Sequence, residues 1–231
     1  MTPAKQCVLL HAEPDPLEID LKRTAVLVID MQNVFVSKGG YFDLMGFDIS
    51  WCATVIDPIA QILETARSRG IRVIHVVHHY SPDLRETGGE NSGNWYRNHL
   101  VMYRNHPEWA DRFFVQGTWG AEIIEELQPL EGEMVVPKPR YSAFFGTALD
   151  LYLRTFRVKY LFFTGVDTAI CVESSIRDAY NLDYFPILVS DASASTGAPS
   201  SQEAAILNIK HCFGWVTDTR RLIDAFQTGG R

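Results

Sequence analysis

Long apolar runs are missing from this 231-residue chain. None approaches the ~18–20 residues that a helix needs to cross a bilayer, so no membrane partner is expected. Paired cysteines are missing too. Cys7, Cys52, Cys171 and Cys212 stand far apart with no CxxC among them. A zinc knuckle or thioredoxin-like site is therefore unsupported, and a cytosolic chain of this size needs no disulfides. Positive charge is in deficit. The formal net charge of −7 argues against nucleic acid or an anionic membrane surface as main partner, while leaving room for a local basic pocket. There is no internal repeat, low-complexity tract or linker. The opening stretch, "MTPAKQCVLLHAEPDPLEID", is broken by His11 and Glu13 and lacks the long apolar segment of a signal peptide. A cytoplasmic location is the expectation.

What is present is enough apolar material for a core: 46% hydrophobic residues against 21% charged. Buried parallel strands read as short apolar runs bounded by turns. Five such runs stand out: "TAVLVID" (Thr24–Asp30), "IRVIHVVHH" (Ile71–His79), "EMVVP" (Glu133–Pro137), "KYLFFTG" (Lys159–Gly165) and "FPILVSD" (Phe185–Asp191). A short sixth falls at Gly214–Thr217. Helical patterns lie between them, at Asp57–Arg69, Ala148–Phe156, Cys171–Leu182, Ser201–Phe213 and Thr219–Phe226. In the first, Ile59, Ile62, Leu63 and Ala66 form one stripe. Strand and helix in alternation predict right-handed crossovers and a mostly parallel α/β sheet covered on both faces. Residues 1–19 read as an N-terminal extension and 20–231 as a single domain. The interval Ser81–Gly120 reads as one long irregular insertion, rich in Gly, Asn, Arg and aromatics, a type that is usually functional.

Open parallel sheets place function at the carboxyl ends of their strands. Asp30 ends the first strand, Lys138 follows the third, and Cys171 lies just beyond the fourth at a helix start. A cysteine at a helix N-terminus has a lowered pKa, and a nearby ammonium lowers it further. Asp30 could take the thiol proton and return one to a leaving amine. Backbone N–H groups before Cys171 could form an oxyanion hole. Each residue also has a plainer reading. A lone cysteine in such a core is more often filler, an Asp at a strand end is often a cap, and a Lys between prolines is usually solvated. The residues alone leave both readings open.

Three blocks carry a resemblance: "AVLVIDMQNVF", "VVPKPRYSAFFGT" and "FTGVDTAICVESSIRDA". Together they resemble the isochorismatase-like cysteine hydrolases, in order, over roughly Thr24 to Phe226. The resemblance implies a three-layer α/β/α sandwich with a mostly parallel six-stranded sheet. It also implies an Asp-Lys-Cys triad, here Asp30, Lys138 and Cys171, and a cis peptide at Val166–Asp167. The oxyanion hole would be the backbone N–H groups of Asp167 and Cys171. The stretches "GGYFDLMGFDIS", "CVESSIRDAYNLDYF" and "FGWVTD" are similar to those of ureidoacrylate amidohydrolases, with biuret and triuret hydrolases sharing some of them. This implies hydrolysis of a small linear ureide through a covalent Cys171 intermediate, in a homo-oligomer of two or four chains. Hydrolysis of another N-carbamoyl compound or amide, vinyl-ether hydrolysis of the isochorismatase type, and a silent binding module are the alternatives. The chain departs from the ureidoacrylate pattern at "VHHY" (Val77–Tyr80), where those enzymes carry Gln-Asn-Gly-Trp, and at Asp167 and Ala169 in the turn before Cys171. The Asp167 carboxylate is expected to point away from the sulfur, toward a neighbouring helix or subunit.

Nicotinamidases of the family hold a divalent metal near the second strand. Here His78 and His79 would face opposite sides of an extended strand, and the Asp-x-His ligand pattern is absent. Neither a metal nor a cofactor is expected. Phe35, Tyr41, Asn94, Tyr141 and Phe145 are candidate substrate contacts, the aromatics to sandwich a planar group and the polar ones to reach a ureido carbonyl. His78 and Tyr80 join them from the departing stretch. Arg140 is the candidate to hold a carboxylate if the substrate is an acid.

Overall fold

Residues 6–228 are described in the computed structural model. The chain opens with an antiparallel hairpin, β1 (Cys7–Leu10) and β2 (Leu17–Asp20), and enters the main sheet at β3 (Thr24–Ile29). Two single-turn helices follow, α1 (Asn33–Val36) and α2 (Tyr41–Leu44), then α3 (Ile56–Ser68) and β4 (Arg72–His78). The long insertion contains α4 (Asn98–Asn105) and leads to β5 (Met134–Lys138). The rest alternates regularly: α5 (Leu149–Thr155), β6 (Tyr160–Val166), α6 (Glu173–Asn181), β7 (Phe185–Ala194), α7 (Pro199–Asn208), β8 (Trp215–Thr217) and α8 (Thr219–Thr228).

The six sheet strands lie in the order β5-β4-β3-β6-β7-β8, and every neighbouring pair is parallel. All six residues of β3 are buried, which is why its sequence is an unbroken apolar run. Val26 and Val28 point to one face, against Ile59, Ile62 and Leu63 of α3 and Leu222 and Phe226 of α8. Ala25, Leu27 and Ile29 point to the other, against Leu149 and Leu153 of α5 and Ile176 and Ala179 of α6. Period-two alternation thus feeds two separate cores and produces three layers. Val8, Leu10 and Ile19 of the hairpin are buried in the first core, so this hairpin packs directly onto the sheet's helical cover.

The chain runs outward from β3 through β4 to β5, then returns to the opposite side of β3 as β6. That reversal opens a crevice at the carboxyl ends of β3 and β6, the place where α/β sheets bind ligands. Glycine is required at the rim. Gly165 has φ +101°, and a Cβ there would sit 2.0 Å from the carbonyl oxygen of Ile29. The insertion differs from its reading as wholly irregular, because α4 is a regular helix. Its polar sequence gave no amphipathic period to read, and Leu100, Phe113 and Phe114 anchor it by tertiary burial. No helix among the described residues is long and apolar enough to cross a membrane.

Candidate active site

The crevice floor is built from three strand ends. Asp30, one residue past β3, is held at φ +55°. Asp tolerates this left-handed conformation better than most residues, but it still carries strain that surrounding structure must hold. Lys138 ends β5 and pairs in register with His78 of β4. Its side chain reaches past β4 to place Nζ 2.8 Å from Asp30 Oδ2 and 3.4 Å from Cys171 Sγ. Nζ also donates to the Arg140 carbonyl at 3.2 Å. Lys138 is 0% exposed and Asp30 1% exposed, so the plainer readings of a solvated lysine and a surface cap do not describe them.

Cys171 lies in a wide turn, Thr168–Val172, that runs into α6. The preceding Val166–Asp167 peptide is cis. Serines and a threonine fix this turn from behind. Ser175 Oγ donates to the Cys171 carbonyl at 2.6 Å and accepts from Ala143 N at 2.8 Å. Ser142 Oγ donates to Asp178 Oδ2 at 2.5 Å. The loop after Lys138 and the helix after Cys171 are therefore laced together, which gives "YSA" and "CVESSIRDA" a physical meaning. Ser193 Oγ, on β7, contacts Thr168 Oγ1 at 2.7 Å and donates to the Gly165 carbonyl at 2.9 Å.

Asp167 finds its partners within the chain. Its Oδ2 accepts from Thr196 N at 2.5 Å and Thr196 Oγ1 at 2.8 Å, and its Oδ1 accepts from Ala169 N at 3.0 Å. Within the chain the carboxylate is tied to the segment after β7 and to the turn that carries Cys171. Burial pushes its pKa up, and the bonds from Thr196 oppose that.

Electrostatics correct one expectation. Burial pushes the Cys171 thiol pKa well up, the Asp30 carboxylate adds to this, and Lys138 only partly offsets them. Reasoning from the helix N-terminus counted the dipole and the ammonium but not desolvation. These influences favour a thiol beside a carboxylate–ammonium pair. Asp30 is itself raised by burial, against the pull of Lys138. For Lys138, burial works against the charge, but Asp30 and Cys171 overcome it and hold the ammonium protonated.

Above this floor lies a cavity of about 390 Å³. Asp30 and Cys171 open into it, and Phe35, Tyr41, His78 and Tyr141 line it. Four other candidates do not. Tyr80 sits behind the wall, its hydroxyl accepting from Asn94 Nδ2 at 3.0 Å and facing His99 Nε2 at 3.5 Å. Arg140 commits Nη1 to the carbonyls of Glu86 and Pro139, both at 2.7 Å. Phe145 is 66% exposed, outside the cavity. The insertion supplies walls that were not read from the sequence: Arg97, Asn98, His99 and Phe114. Only the length and composition of the insertion hinted at them. Phe35 stacks on Phe114 at 5.8 Å, giving one wall a flat aromatic face. Gln32 is a further missed residue. Buried completely, it accepts from His78 N at 2.8 Å and donates to the carbonyls of His78 and Ala121 at 3.1 and 2.8 Å, locking the end of β3 to the end of β4.

His78 is buried and kept neutral, its pKa pushed well down by burial and by Lys138. Its Nε2 has no hydrogen-bond partner among the described residues. Potential ligand atoms of Asp30, His78 and Cys171 lie within 4.8 Å of one another. The Lys138 ammonium already rests against two of the three, so a cation there would meet a fixed positive charge.

This geometry has relatives. A family profile described as the isochorismatase domain matches residues 24–221. The chain belongs to the isochorismatase family. Among family members, a "Ureidoacrylate amidohydrolase RutB" of Methylorubrum extorquens is 45% identical over 212 residues, covering 91% of this chain and 86% of that protein. The protein of the same name from Cronobacter turicensis is 42% identical over 219 residues, 94% of each. The isochorismatase fold is also seen in the crystal structure of a cysteine hydrolase from Pseudomonas syringae pv. phaseolicola 1448A, which superposes with a TM-score of 0.76 at 27% identity over the whole of both chains.

Proposed function

We propose that this isochorismatase-family protein is a cysteine amidohydrolase that cleaves the C–N bond of a small linear ureide, with ureidoacrylate as the leading substrate. The observation that carries the reading is the buried Asp30–Lys138–Cys171 cluster at the floor of the cavity. The similarity to ureidoacrylate amidohydrolases over nine-tenths of the chain supports the substrate class.

The chemistry follows from the charges. The thiol stays protonated until the ureido carbonyl displaces water from the cavity. Asp30, whose Oδ1 lacks a hydrogen-bond donor of ordinary geometry, then takes the thiol proton. The thiolate forms beside the Lys138 ammonium and attacks the carbonyl carbon. The oxyanion is held by the backbone N–H groups of Asp167 and Cys171. As the S–C bond holds and the C–N bond breaks, Asp30 returns its proton to the leaving nitrogen. Water then attacks the carbamoyl thioester, Asp30 takes the water's proton, and the thiol is regenerated with release of a carbamate. Neutral His78 offers an imidazole nitrogen to the ureido N–H groups, and the Phe35–Phe114 wall packs against the planar ureide.

Replacement Cys171→Ala tests this. Turnover of ureidoacrylate, followed by the ammonia that the carbamate releases, falls to background while circular dichroism stays that of the parent protein. Full activity in a folded Cys171→Ala protein refutes the reading.

A further inference from the structure

The cavity contains one cation that the proposed chemistry does not use. Arg97 is exposed at the mouth, where the insertion enters α4, and it lines the cavity together with Asn98, His99 and Tyr141. The insertion has four arginines, and the other three are occupied. Arg85 pairs with Asp83 at 2.9 Å. Arg104 lies over the Trp95 ring and donates to its carbonyl at 2.9 Å. Arg112 lies over Trp119. Among the described residues, no hydrogen bond or ion pair engages the Arg97 guanidinium. Arg140, the cation the sequence suggested, is turned to backbone carbonyls away from the cavity.

The remaining charges of the cavity cancel or are silent. Asp30 is neutralised by Lys138, and Asp167 is saturated by Thr196 and Ala169. The two lining histidines are neutral, His99 being pushed down to about 4 by burial and by the neighbouring Arg140, Lys138 and Arg97 charges. In a chain of net charge −7, the mouth is thus a local positive point. The positions also fit a bipolar ligand. Arg97 and Cys171 both line this one cavity, and the Tyr141 phenol lies within electrostatic reach of each.

We propose that Arg97 is the anion anchor of this cavity, holding a carboxylate at the end of the substrate remote from the cleaved carbonyl. The site then selects ureido acids over neutral ureides. This deepens the functional reading above and rests on it. The guanidinium presents paired N–H donors that match a carboxylate. Arg97 is exposed, and a bound carboxylate would cover it and strengthen the pairing by excluding water.

Two measurements test the anchor. In the active enzyme, kcat and KM are compared for ureidoacrylate and biuret in wild type, Arg97→Gln and Arg97→Lys. The preference for the anion over the neutral ureide falls about tenfold or more in Arg97→Gln, the scale of one charge-assisted hydrogen bond, chiefly through KM. Arg97→Lys recovers part of it. In the inactive Cys171→Ala background, calorimetry compares 3-ureidopropionate with propylurea, a pair matched in length and differing in the carboxylate. The acid binds more tightly, and Arg97→Gln removes the difference. A carboxylate preference that survives Arg97→Gln, or none to begin with, overturns the anchor. Wild-type enzyme that hydrolyses neither ureide overturns the functional reading instead, and the calorimetric pair still decides Arg97.

Discussion

At the scale of single residues, Cys171 sits between two opposed influences. Asp30 raises its pKa and Lys138 lowers it, on top of a large upward push from burial. Removing each partner therefore shifts the thiol in opposite directions. In Asp30→Asn, iodoacetamide labelling of Cys171 moves to lower pH, yet turnover is lost because no base remains. In Lys138→Met, labelling moves to higher pH by about one unit or more, the usual scale for losing an adjacent opposite charge. The same variant strands the Asp30 carboxylate in a buried site and destabilises the fold by about 3–5 kcal/mol, so labelling is read on protein shown to be folded. Shifts in the same direction for both variants contradict this account. The strand-end positions of the three residues could be read from the sequence, but their choice as a triad came from the family resemblance, because each residue alone also had a plainer reading. The direction of the Cys171 shift could not be read, because desolvation depends on what covers the sulfur. The choice between Arg140 and Arg97 was illegible for a related reason: both are arginines near plausible walls, and only the fold shows which carbonyls capture the first.

At the scale of elements, the site depends on how the loop after β5 is fastened to α6. Ser175 bridges them, accepting from Ala143 N and donating to the Cys171 carbonyl. Ser175→Ala leaves the Ala143 N–H unsatisfied in a buried place and loosens the Cys171 turn. The expected loss is about 1–3 kcal/mol of unfolding free energy, together with a lower kcat at nearly unchanged KM. Urea denaturation and steady-state kinetics on the same protein check it. Unchanged kcat means the turn is rigid without this bridge. The strands of the sheet were readable because a parallel strand buried on both faces must be apolar throughout, as "TAVLVI" is. The β1–β2 hairpin was harder. Of its four-residue strands, β1 alternates exposed and buried positions while β2 buries only its last two, and β1 packs against α8.

At the scale of the whole molecule, buried histidines couple stability to pH. His75, His78 and His99 are all held below the ordinary imidazole pKa, burial being the largest cause in each. In the unfolded chain they titrate near 6.5. Below that pH the unfolded state binds protons that the folded state refuses, so the histidines' contribution to stability is full above about pH 7 and falls as the solution is acidified toward 4. For His99, with a folded value of about 4, the loss reaches on the order of 3 kcal/mol. Glu133 acts in the same sense at the low end. Its carboxylate is held below the usual range because Arg67, at 2.8 Å, outweighs the effect of burial. Thermal melts between pH 8 and pH 5 show a falling Tm, and His99→Phe flattens part of that fall. A Tm that is level across this range excludes the linkage.

The long insertion has a consequence for how such a protein changes. The groups proposed to make and break bonds come from the strand ends: Asp30 after β3, Lys138 on β5, Cys171 after β6. Much of the wall that meets the rest of the ligand comes from the stretch between Ser81 and Gly120, through Arg97, Asn98, His99 and Phe114. Part of the substrate-facing wall is thus carried on a length of chain separate from the three strand ends. Exchanging that one stretch between relatives would retune which ureide is accepted and leave the bond-breaking apparatus in place. That part of the wall is a separable module although the molecule folds around a single sheet.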